Sequence, residues 1–102
     1  MQIPKHEEQV VMGIGWYRPE QWGRLLEVSL DADQLEKTHA EWLIFANKQL
    51  DDLKRRDILV IEVDVDVEEL VRWCQRRGLA IDSGARAKFI TLKAHDMGEK
   101  QA

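Results

Sequence analysis

The spacing of apolar positions changes several times along this chain, and each change marks an element. Residues 10–17, "VVMGIGWY", are a β-rich run with two glycines, which predicts a strand closely approached on its glycine face. In the next stretch, "RPEQWGRLLEVSL", Pro19 suits a first helical position and Glu20 the positive end of a helix dipole. Trp22, Leu25, Leu26 and Ser29 share one face of that helix. Gly23 weakens it by about 1 kcal/mol relative to alanine, so it should be short. Two capping boxes follow, Asp33 with Glu36 and Thr38 with Glu41. A turn near Asp31 to Asp33 and a long helix to residue 56 fit the stripe Leu35, His39, Trp42, Leu43, Ala46, Leu50 and Leu53. Ile44 points away from that stripe and Phe45 lies on its shoulder, which makes the pair a candidate contact surface.

The period then switches. Ile58 to Ile61 is continuously apolar, and Val63 and Val65 continue at alternate positions. This predicts a strand buried on both faces early and on one face late. "DVEELVRWCQRRGL" is a helix with defined ends. Asp66 caps it, Glu69 completes the box, Gly78 stops it, and Leu79 packs back on the last turn. A last helix starts at Asp82 or Ser83, carries Ala85, Phe89 and Leu92, and frays near Gly98. Residues 1–9, which are polar and carry Pro4, are expected to form a flexible arm. Residues 10–97 are expected to form one globular domain, and 98–102 a flexible tail. The expected fold is α/β (α+β-like), in the order β-α-α-β-α-α. Two strands separated by roughly 40 residues of helix should run parallel, with a right-handed crossover. A two-stranded parallel sheet is thin. Helices must wrap it, or a second copy must complete it.

Composition narrows the class. The 102 residues are 44% hydrophobic and 33% charged, as in a globular domain. A net charge of -4 argues against nucleic acid, and no apolar run has the length of a membrane span. One cysteine cannot form an internal disulfide, and the N-terminus lacks the apolar core of a signal peptide, so a cytoplasmic location is expected. Four tryptophans predict a core of large rings or an adhesive surface.

The segments "GWYRPEQW", "THAEWL", "DVDVEELVRWCQRRGL" and "ARAKF", in this order, resemble a group of short bacterial proteins with no assigned activity. The likeness spans most of residues 10–92 and rests on aromatic and capping residues. It implies a small bacterial cytosolic α/β protein and transfers no functional residue.

The acidic run "IEVDVDVEEL" is the foremost candidate for chemistry. With parallel strands, Trp16, Tyr17 and Arg18 end the first strand, while Asp64 and Asp66 end the second. That edge is where open α/β sheets bind ligands. "IEVDVDV" resembles the strand and Asp-x-Asp of haloacid-dehalogenase-like phosphatases, in which one carboxylate attacks phosphorus and a magnesium ion bridges the charge. The chain departs from that family in its length, in the position of the strand, and in having no later acidic pair. A calcium loop counted from Asp64 meets Glu69 where glycine is required and Gln75 where glutamate is required. A capped helix after a strand with one wet face accounts for the whole run, with a weak metal site at Asp64 and Asp66 as the alternative.

The other signals are weaker. Gly13 and Gly15 lack the third glycine of a dinucleotide fingerprint, and Arg18 stands in its place. Arg18 itself suits either an anion or an internal pair with Asp64 or Asp66. His6, His39 and His95 have no metal-ligand spacing, and Cys74 falls on an apolar helix face. Lys54, Arg55, Arg56, Arg72, Arg76 and Arg77 gather at the amino edge of the second strand, opposite the acids. The expected function is a non-catalytic interaction and self-association module, a homodimer with a possible cytosolic protein partner and no cofactor. The alternative is a small ligand-binding protein or metal-dependent phosphoryl-handling enzyme, built on Trp16, Tyr17, Arg18, Asp64 and Asp66.

Overall fold

The computed structural model describes the backbone of residues 10–101 and the side chains of residues 10–97. The expected arm at 1–9 lies outside the described residues. Val11–Trp16 (β1) and Leu59–Asp64 (β2) form a parallel two-stranded sheet, with Val11 beside Leu59 and Trp16 beside Asp64. The helices are Trp22–Val28 (α1), His39–Arg55 (α2), Val67–Arg77 (α3) and Ser83–Gln101 (α4). The chain is thus a small α/β protein in the order β-α-α-β-α-α. No helix among the described residues is long and apolar enough to cross a membrane.

The two glycines of β1 seat α4. A Cβ on Gly13 would lie 2.7 Å from Ala94 Cβ, and one on Gly15 would lie 3.1 Å from Ile90 Cγ1 and 3.2 Å from Val65 Cγ2. Real carbons do not approach as closely as the first distance, so α4 rests on bare backbone here. The opposite face of the sheet carries rings. Trp16 meets Trp42 of α2 edge-on at 5.4 Å, Tyr17 meets Trp42 at 5.3 Å, and Trp22 meets Trp42 at 5.5 Å. His39 closes this cluster, with its Nε2–H donating to the Tyr17 carbonyl at 2.7 Å. Val63, Val65, Val67 and Leu70, with the Phe89 ring, form the other side of the core.

Helix ends follow local chemistry. The Asp66 carboxylate accepts from Glu68 N–H at 3.0 Å and Glu69 N–H at 3.2 Å. Gln21 Oε1 takes a further free donor, Val67 N–H, at 2.9 Å. Gly78 terminates α3 at φ 65, where only glycine is unstrained, and Leu79 N–H returns to the Cys74 carbonyl at 2.9 Å. Asp82 caps α4 through Ala85 N–H at 2.9 Å.

Four expectations need correction. Pro19–Gln21 is a 3-10 turn, and α1 begins only at Trp22. The long helix starts at His39, with Thr38 Oγ1 accepting from Glu41 N–H at 3.1 Å, so the Thr38 cap prevails over Asp33. Ala32–Gln34 makes only one 3-10 turn, and Leu35 is extended, because buried Trp22 donates its indole N–H to the Glu36 carbonyl at 3.0 Å and holds that segment open. The apolar start of β2 is its exposed end: Leu59 is 49% exposed, while Val63 and Val65 are buried. Finally, α4 continues past Gly98 to Gln101, through most of the expected tail.

Candidate functional site

The carboxyl ends of the strands bring together the acidic residues singled out by sequence and Arg18. Arg18 follows β1 and places Nε 3.2 Å from Asp64 Oδ1, with NH1 3.9 Å from Glu20. The Nε–H is aimed off the line of a directed hydrogen bond, so this is an ion pair, and its exposure limits its worth to about 0–1 kcal/mol. Asp66 spends its carboxylate on the start of α3. Glu68 is held by Arg24 Nε at 2.8 Å, and Glu69 pairs with Lys93 of α4 rather than closing a box with Asp66. Tyr17 is buried at 8% exposure, and Trp16 is half-buried against Trp42. Asp64, Glu68 and Glu69 are therefore matched by arginines and a lysine from neighbouring elements, and Asp66 by backbone N–H groups. Among the described residues no group of three or more His, Cys, Asp or Glu converges as metal ligands would.

A buried polar network lies behind this edge, and sequence reasoning missed it. Arg86 of α4 grips Asp31 with both terminal nitrogens, at 2.9 and 2.8 Å, and touches Ser29 Oγ at 3.2 Å. The Arg86 hydrogen bonds hold the Asp31 carboxyl below its usual range. Burial pushes the neighbouring Tyr17 phenol up, opposed by Arg86 and reinforced by Asp31. This pair ties the segment after α1 to α4. Cys74 is buried among apolar groups, which raises its thiol.

The least finished part of the molecule is the free edge of β1. Leu59 N–H bonds to the Val10 carbonyl at 2.9 Å and Val65 N–H to the Trp16 carbonyl at 3.0 Å. Strand alternation then turns the backbone of Met12 and Ile14 toward β2, and that of Val11, Gly13 and Gly15 the other way. No strand among the described residues pairs with that side. A groove of about 630 Å³ runs along it. Its floor is Met12 to Gly15; one wall is α2, through Trp42, Ala46, Gln49 and Leu53, and the other is α4, through Ala87, Ile90 and Thr91. At its amino end Val10, Val11 and Met12 are 55%, 53% and 42% exposed, and the register puts Val11 next to exposed Leu59. Val11 and Leu59 are apolar exposed residues on one face of this uncovered start of the sheet, and Val10 and Met12 on the other.

The surface pair named from sequence divides between two sides of α2. Ile44 and Phe45 are both exposed, at 61% and 48%. Phe45 lies on the helical row of Gln49, Asp52 and Arg56, which line the groove. Ile44 is turned about 100° from that row. A second apolar hollow, of about 500 Å³, lies between Trp73, Leu79 and Leu92, across the Ala87–Thr91 ridge of α4. No protein-family model, curated protein or solved structure matches this chain. The functional argument therefore rests on geometry.

Proposed function

We propose that this chain is a non-catalytic interaction and self-association module of the cytoplasm, working as a homodimer through the free edge of β1. The observation that carries this reading is the exposed set Val10, Val11, Met12 and Leu59 beside an unpaired strand edge. Single exposed apolar residues need no explanation, but four gathered at the start of a sheet with an unpaired edge do. Proteins normally blunt such edges with charge, proline or a covering segment. β1 has neither charge nor proline between Val11 and Trp16. The carboxyl edge supports catalysis less well, since Arg18 is engaged by Asp64 and Asp66 by α3.

The test is sedimentation from micromolar to several hundred micromolar, for the natural chain and for Val11→Lys. Val11 is half exposed, so the lysine leaves the fold intact, as circular dichroism will verify. A dimer that Val11→Lys reduces to a monomer is the expected result. A natural chain that stays monomeric throughout contradicts the reading.

A further inference from the structure

We infer that the occupant of the β1 groove is β1 of a second copy, laid antiparallel with Gly13 on the two-fold axis, so that two thin sheets join into one of four strands. This rests on the self-association reading and specifies its geometry. The parity of the strand selects the register. Only Val11, Gly13 and Gly15 offer outward N–H and C=O groups. An antiparallel copy centred on Gly13 sets Val11 opposite Gly15 of the second copy, Gly13 opposite its counterpart, and Gly15 opposite Val11. All three are hydrogen-bonded pairs, each exchanging two bonds. A shift of the centre by one residue in either direction leaves only two such pairs.

Side chains favour the same register. Exposed Val11 comes to lie beside a glycine, on the face where Gly15 contributes no side chain. Met12 comes to lie beside Ile14 on the opposite face, where Trp42 and Ala46 border the groove. The flank of α4 turned toward the copy is Ala87 and Thr91, both small and exposed, which suits helix axes 8–10 Å apart. Charge does not oppose the contact. Arg86 is committed to Asp31, and the α2 rim carries one acid and one base, Asp52 and Arg56, which pair with each other within one copy at 3.3 Å. The surplus negative charge of the chain stays off this surface. A closed two-fold contact also uses up the β1 edge of both copies at once.

The test uses two single-cysteine chains in a Cys74→Ala background, Met12→Cys and Ile14→Cys, mixed and mildly oxidised. Residues 12 and 14 are directly opposed non-hydrogen-bonded positions in this register, with Cα atoms about 4.5 Å apart, within disulfide reach. The expected product is the mixed disulfide, in at least tenfold excess over Met12→Cys linked to itself. Ile44→Cys, on the outer side of α2, serves as the exposed control. Predominance of the Met12→Cys self-linked product, or linking no greater than that of the control, overturns the register. If the natural chain then still sediments as a dimer sensitive to Val11→Lys, the proposed function stands with another geometry. If it sediments as a monomer, both fail. Sedimentation of each variant under reducing conditions shows that it folds and associates before oxidation.

Discussion

Substituting Gly13 by alanine tests the seating of α4 on β1. The added carbon would lie 2.7 Å from Ala94 Cβ. That atom is fixed to the α4 backbone and cannot rotate away, so the helix itself must shift. Overpacking of this kind costs about 1–3 kcal/mol. The loss of glycine's unfolded-state freedom returns about 0.4–1 kcal/mol. The net expectation is a loss of about 1–2 kcal/mol, or roughly 5–15 °C in Tm for a chain of this length. Gly23→Ala makes the same chemical change on α1, where no atom lies within 4 Å, and should stabilise by up to about 1 kcal/mol. Ala94→Gly removes the obstructing carbon. Combined with Gly13→Ala, it should lose less than the sum of the single changes, by about 1 kcal/mol or more. Urea unfolding followed by tryptophan emission at one fixed protein concentration measures all four chains, and the fixed concentration keeps association from mixing with stability. A neutral or stabilising Gly13→Ala, or strict additivity with Ala94→Gly, would refute the close approach of α4.

Two titrations test the buried network. The Asp31 carboxyl is lowered by Arg86, so its stabilisation is present above the unfolded value of about 3.9 and is lost as pH falls through the folded value. Asp31→Asn should therefore flatten the acid limb of a stability–pH profile below about pH 4 and cost about 3 kcal/mol at pH 7, because Arg86 loses its charged partner. An unchanged acid limb would show that the pair does not couple to folding. Tyr17 is the single tyrosine, and burial raises its phenol. Ultraviolet titration should give a midpoint above about 10, with stability lost as pH rises past the unfolded value. A midpoint at or below 10 contradicts its burial.

What the sequence made legible was local. The glycine pair of β1, the Asp66 cap, the Gly78 stop and the short α1 each depend on a residue and its immediate neighbours, and each stands in the structure. What it concealed was non-local. The start of α2 is decided by Trp22 reaching Glu36, 14 residues on, and two adjacent capping boxes look alike without that bond. Arg86 and Asp31 are 55 residues apart, and no spacing rule links them. Periodicity reported that Ile58 to Ile61 is apolar but not whether anything covers it. The exposed start of β2 is where that difference matters.

Amide hydrogen exchange at Gly13 and Gly15, read by NMR as a function of protein concentration, is the most direct measurement. Their N–H groups face away from β2, and no strand among the described residues protects them. Pairing across the β1 edge predicts protection that rises with concentration at these amides and at Val11, while Met12 and Ile14, bonded to β2, change little. Fast exchange at Gly13 and Gly15 at every concentration would contradict association through this edge.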